Sequence, residues 1–122
     1  WVKENLEAKK EIPVLVDQFT SPTHVPNLSR MLIEIATRQI NGIIHVSGTP
    51  RISRYALASL VADKLNLEKS LLIPTKIDTM NWKAQRPKDS SLDVSLAAES
   101  LNEQPQKIEQ SIELFVNELN SN

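Results

Sequence analysis

Cysteine is absent from the 122 residues, glycine occurs twice, and aromatic side chains make up 4% of the chain. Without a thiol there is no disulfide, no thiolate-bound metal and no cysteine nucleophile, and the composition fits a reducing, cytoplasmic setting. A dinucleotide-binding turn needs three glycines to let backbone approach a pyrophosphate, and Gly42 and Gly48 are too few. They stand six apart and precede Thr49, whereas a P-loop spaces its glycines five apart before Lys and Ser or Thr. The sole tyrosine, Tyr55, is followed four residues later by Ser59. A Tyr-x-x-x-Lys pair for proton donation to a carbonyl is therefore missing, and no catalytic or cofactor-binding residue is expected in this chain.

Charge of one sign is also lacking. Fourteen basic against fifteen acidic residues give a net charge of -1 and a pI near 6.2, so no broad basic field attracts nucleic acid or an anionic membrane. No apolar run approaches the roughly 20 residues of a membrane-spanning helix, and the charged segment from Lys3 to Lys10 does not have the apolar stretch of a signal peptide. His24 and His45, 21 residues apart, lack the paired spacing of a zinc helix, so no metal site is expected. His45 reads as a hydrogen-bonded packing residue within a strand, and His24 as part of a polar loop.

What is present is an ordinary globular balance, 40% hydrophobic and 24% charged, at the length of one domain. Val2 and Leu6 suit the end of a helix over residues 1 to 9, and a first residue of Trp1 suggests a chain that begins inside a larger protein. Ile12 to Val16, broken by Pro13, suits an edge strand. A loop from Asp17 to His24 precedes a helix that opens at Pro26, carries Leu28, Met31, Leu32, Ile35 and Ala36 on one face, and closes at Gly42. Ile43 to Val46 reads as a short strand, with Gly48 turning the chain. Ser53 suits the cap of a helix with Leu57, Leu60, Val61 and Leu65 on one face. A strand at Leu71 to Ile73, a short helix capped by Asp93, and a final helix marked by Ile108, Ile112, Phe115, Val116 and Leu119 complete the pattern.

This is an α/β alternation of short strands and amphipathic helices. Three short strands cannot cover so many helix faces, so the chain is expected to complete an upstream domain rather than form its own sheet.

Three segments resemble one family. The string VLVDQFTSPTHVPNLSRML resembles the dTDP-4-dehydrorhamnose reductase segment in which a strand ends in Asp-Gln before a small-residue-Pro-Thr loop and a helix. GIIHVSG with ISRYALASLVADKL resembles the next strand and helix, and AQRPKDSSLDVSLAAESL resembles the family's Arg-Pro-x-x-Ser-x-Leu-Asp motif. Thr20 stands where a glycine is usual, and His24 where an aromatic residue is frequent.

The resemblance implies the carboxy-terminal, substrate-binding part of an extended short-chain dehydrogenase spanning residues 1 to 122. An upstream Rossmann domain would bind NADPH or NADH and carry the Tyr-x-x-x-Lys pair. The implied partners are a dTDP-sugar and that Rossmann domain, with room for a homodimer. Arg86 matches the family arginine that approaches the nucleotide diphosphate, and Asp17, Gln18, Ser21, Pro22, Thr23 and His24 match the segment bordering the substrate cleft. Judged from composition alone, the favoured reading of Arg86 is a surface or capping arginine paired to Asp89 or Asp93, and only the resemblance reverses it. A non-catalytic relative such as the beta subunit of methionine adenosyltransferase is the alternative reading.

Overall fold

In the computed structural model, which describes residues 1–121, the apolar run Ile12–Leu15 (β1) pairs in parallel with Leu72–Thr75 (β4), placing Ile12 opposite Leu72 and Val14 opposite Pro74. The two form a sheet of their own. Pro13 is tolerated because each strand of such a pair has an unpaired side. Val2–Glu7 (α1) and Arg54–Lys64 (α3) bring Leu6, Ala58 and Ala62 onto this sheet, and with Ile12, Val14 and Leu72 these residues form one buried cluster. Tyr55 packs at its margin.

The buried face of α3 is made by Ala58 and Ala62, while Leu57, Leu60, Val61 and Leu65 are only half-buried. Small side chains let the helix lie close to the sheet, which the apolar spacing alone did not reveal. Ser53 caps α3 as expected, its hydroxyl accepting from the Ala56 amide at 3.1 Å.

A second cluster joins Met31 of Val25–Thr37 (α2) to Ala97 and Leu101 in and after Ser95–Ser100 (α4). The expected strand at Ile43 to Val46 is not formed. Its side chains do alternate, with Ile44 and Val46 against this cluster while Ile43 is 86% exposed and His45 is also exposed. No backbone ladder partner reaches residues 43 to 48 among the described residues. A strand is defined by its neighbour, and this segment has the pattern without the neighbour. His45 is accordingly a surface residue and not a packed one.

The expected closure of α2 at Gly42 is also corrected, because the helix ends at Thr37 and the chain turns on Gln39 at φ 52°. The Gln39 amide donates to the Ala36 carbonyl and the Ile40 amide to the Ile35 carbonyl, the paired bonds of a Schellman cap. Lys9 and Asn66, at φ 55° and 53°, end α1 and α3 in the same way. A glycine-poor chain here places side-chain-bearing residues in left-handed positions that glycine usually fills.

Ile108–Asn120 (α5) packs against α3 and buries Ile108, Ser111 and Ile112, whereas Phe115 and Leu119 stay largely exposed. No helix among the described residues is long and apolar enough to cross a membrane.

Candidate functional site

The fold brings the two polar loops singled out in the sequence side by side. Phe19–Thr20 (β2) pairs antiparallel with Ile52–Ser53 (β3), elements too short to be read from the sequence. On its other side Phe19 donates its amide to the Lys88 carbonyl at 2.8 Å and accepts from the Ser90 amide at 3.1 Å. The Gln18 Nε2 donates to the Pro87 carbonyl at 3.2 Å, and the Leu92 amide donates to the Ser21 hydroxyl at 3.1 Å. Residues 18 to 21 therefore hold the segment from 87 to 92 along its length.

Asp17 and Ser21 act on backbone. The Asp17 Oδ1 accepts from the Ile77 amide at 2.8 Å, which anchors the turn that follows β4. The Thr23 hydroxyl donates to the Ser21 carbonyl and accepts from the Gly48 amide, each bond between 3.0 and 3.1 Å. Gly48 lies so close to the loop that a Cβ there would sit 2.1 Å from the Pro22 carbonyl oxygen. Its role is close approach, which only a residue without a side chain permits.

Arg86 and Gln18 line one cleft of about 420 Å³ with Val14, Arg54, Met80 and Trp82. The Arg86 guanidinium lies 5.6 Å from the Trp82 ring centroid. Neither Asp89 nor Asp93 pairs with it. Arg51 takes Asp89 at 2.8 Å while lying over the Phe19 ring, 3.8 Å from its centroid. The Ser91 hydroxyl and amide, followed by the Arg51 guanidinium, hold the Asp89 carboxyl down at about 2. The Ser95 hydroxyl and amide bind Asp93 and lower its pKa.

Pro22, Thr23 and His24 face a different space. They line an open, mostly apolar cavity of about 570 Å³ together with Leu57, Ile112 and Phe115. His24 is the residue before α2, and its side chain is 9% exposed with Nε2 3.2 Å from Glu118 Oε1. Its Nδ1 is buried without a hydrogen-bond partner among the described residues. Trp1, Val14 and Arg54 border both spaces, so cleft and cavity adjoin.

The sequence matches the RmlD substrate-binding domain over residues 2–121. The chain belongs to that family. It is 35% identical over 79 residues to methionine adenosyltransferase 2 subunit beta of Rattus norvegicus, a stretch covering 61% of this chain and 23% of the relative. Its structure superimposes on dTDP-4-dehydrorhamnose reductase of Bacillus anthracis, solved in complex with NADP, with a TM-score of 0.86 at 26% identity. That match covers 96% of this chain and 41% of the reductase. A hypothetical dTDP-4-dehydrorhamnose reductase of Sulfolobus tokodaii matches with a TM-score of 0.73 at 33% identity, over 86% of this chain and 37% of that one. The chain thus spans well under half the length of these relatives.

Two residues of this RmlD substrate-binding domain were not singled out in the sequence. Arg54 opens α3, where it looks like any polar residue of a helix terminus, yet its Nε donates to Gln18 Oε1 at 2.6 Å and it faces the Arg86 cleft. Asn27 lies on α2 at a position that reads as polar surface, yet it is 1% exposed. Its Nδ2 donates to Glu103 Oε1 and the Gln104 carbonyl, and its Oδ1 accepts from the Gln106 amide. A buried amide satisfied at both ends fixes the loop at 103 to 106, which in turn pairs with Thr49.

Proposed function

We propose that this chain is the carboxy-terminal, dTDP-sugar-binding part of an NAD(P)-dependent reductase that reduces a 4-keto dTDP-sugar. The observation that carries the reading is Arg86, a guanidinium without a carboxylate partner among the described residues, in a cleft whose loops are tied together by Gln18, Phe19 and Ser21. A planar donor fork in such a place suits a diphosphate. The reductases that share the fold support the reaction class, one of them as an NADP complex.

In this reading Arg86 neutralises the diphosphate in the cleft it shares with Gln18, and Pro22, Thr23 and His24 shape the neighbouring sugar pocket. Asp17 and Ser21 act through the backbone they hold. The chain's own part is binding and the exclusion of water from the reacting carbonyl. Hydride would come from NADPH or NADH held by an upstream Rossmann domain, and the proton from that domain's tyrosine to the carbonyl oxygen. Residues 43 to 46 would supply a strand to that domain's sheet, for which their alternation already suits them. The setting proposed is the cytoplasm.

A regulatory, non-catalytic role is the second reading, favoured by the likeness to methionine adenosyltransferase 2 subunit beta. An intact Tyr-x-x-x-Lys pair in the upstream domain supports the reductase, and its loss supports the regulator. Arg86→Ala in the intact reductase is expected to raise KM for the dTDP-sugar about tenfold or more while leaving NADPH binding unchanged. Unaltered substrate kinetics would remove Arg86 from the site.

A further inference from the structure

We propose that Arg54 is a second anion-binding residue of the Arg86 cleft, and that the two guanidinium groups together make the site select a nucleoside diphosphate over a monophosphate. The inference rests on the reading of Arg86 as a diphosphate ligand and adds to it a residue and a specificity.

Three of the five arginines have a carboxylate partner among the described residues and two do not. Of the five arginines, Arg30 pairs with Glu103 at 2.8 Å, Arg38 with Glu34, and Arg51 with Asp89 at 2.8 Å. Arg54 and Arg86 have no carboxylate partner among the described residues, and these two line the same cleft. Among the described residues no aspartate or glutamate lines that cleft; its other walls are Gln18 and apolar residues such as Val14, Met80 and Trp82. Two uncompensated cations on an apolar wall repel each other and raise the local potential, and an anion relieves both effects.

The hydrogen bonding leaves the right donors available. Arg54 uses Nε on Gln18 Oε1, and no acceptor among the described residues takes its terminal Nη groups. Gln18 is buried, and its Nε2 holds the Pro87 carbonyl, immediately after Arg86. One amide therefore orients the Arg54 side chain and fixes the backbone that carries Arg86. A single phosphate is satisfied by one bidentate guanidinium, whereas a diphosphate offers charge and acceptors to two.

The test is calorimetric titration of the intact protein with thymidine diphosphate and thymidine monophosphate, read as the ratio of the two affinities. A ratio does not depend on the fraction of protein folded. The wild type is expected to prefer the diphosphate by about tenfold or more, and Arg54→Met to lower that preference to about twofold or less. Arg54→Lys is expected to keep part of it, and Arg30→Met, at a position outside the cleft, all of it. A wild-type ratio in Arg54→Met, with diphosphate binding lost in Arg86→Met, overturns the role of Arg54 and leaves that of Arg86 standing. Wild-type protein that binds neither nucleotide overturns both. Should Arg54→Met bind neither, Arg54→Lys decides: a retained preference upholds the assignment and its loss overturns it.

Discussion

Gln18 Oε1 accepts a 2.6 Å hydrogen bond from Arg54 Nε, and Gln18 Nε2 donates to the Pro87 carbonyl at 3.2 Å. This one buried amide links the start of α3 to the Arg-Pro loop across 36 and 69 residues of sequence. Gln18→Leu, which fills similar space without polar atoms, removes both bonds and leaves their outer partners, on the exposed residues Arg54 and Pro87, to water; it is expected to cost about 1 kcal/mol in chemical denaturation. Amide exchange at Phe19 and Ser90, which bridge the same loops, should quicken. Unchanged stability and exchange would show that the loops are held without Gln18.

Gly48 presents the opposite requirement, space instead of a bond. With 2.1 Å between a built Cβ and the Pro22 carbonyl oxygen, Gly48→Ala must displace the loop at residues 22 to 24. A loss of about 1–3 kcal/mol is expected in denaturant unfolding. Stability equal to the wild type would mean the two backbones are not in contact.

At Gln39 the expected change is a gain. Its φ of 52° is a left-handed conformation that costs a side-chain-bearing residue about 1–2 kcal/mol, partly offset by the greater unfolded-state freedom of glycine. Gln39→Gly should stabilise the protein by about 0.5 kcal/mol, measured by the denaturant midpoint. A destabilised variant would contradict the Schellman geometry at the end of α2.

Acidification should act on the Arg-Pro loop through Asp89. Its pKa is lowered from 3.8 to about 2, first by the Ser91 hydroxyl and amide and then by Arg51. A depressed carboxyl contributes stability that is fully present above its unfolded value and is lost as pH falls from about 4 through about 2. The Asp89 side chain is 44% exposed, so the contribution is screened and modest. A carbon-13 titration of the Asp89 carboxyl should show a midpoint well below 3.8, with the Phe19 ring signals shifting in step as Arg51 is released. A midpoint at 3.8 would contradict the bonds from Ser91 and Arg51 to Asp89.

Much of the fold was legible where one segment carries its own pattern. The helical spacing of α2, the Ser53 cap, and the apolar runs that became β1 and β4 depend on neighbours a few residues away. What was missed depends on distant partners. Residues 43 to 46 have strand alternation, but a ladder requires a second strand. The Phe19–Thr20 and Ile52–Ser53 pair is two residues long on each side and leaves no periodic trace. Arg54 and Asn27 acquired their roles from Gln18 and from the loop at 103 to 106, contacts of long sequence separation. The candidate loops were found through motif resemblance, and the structure divides them between the Arg86 cleft and the apolar cavity beside it.

The central claim is that this RmlD substrate-binding domain serves a reductase by holding its nucleotide-sugar. The most direct measurement is NADPH or NADH consumption by the intact protein with and without a 4-keto dTDP-sugar. The expected result is cofactor oxidation that depends on the sugar and weakens with Arg86→Ala, and no turnover by the 122-residue chain alone. It would be contradicted by sugar-independent or absent oxidation in an intact protein that instead binds a methionine adenosyltransferase catalytic subunit, or by hydride transfer from the isolated chain.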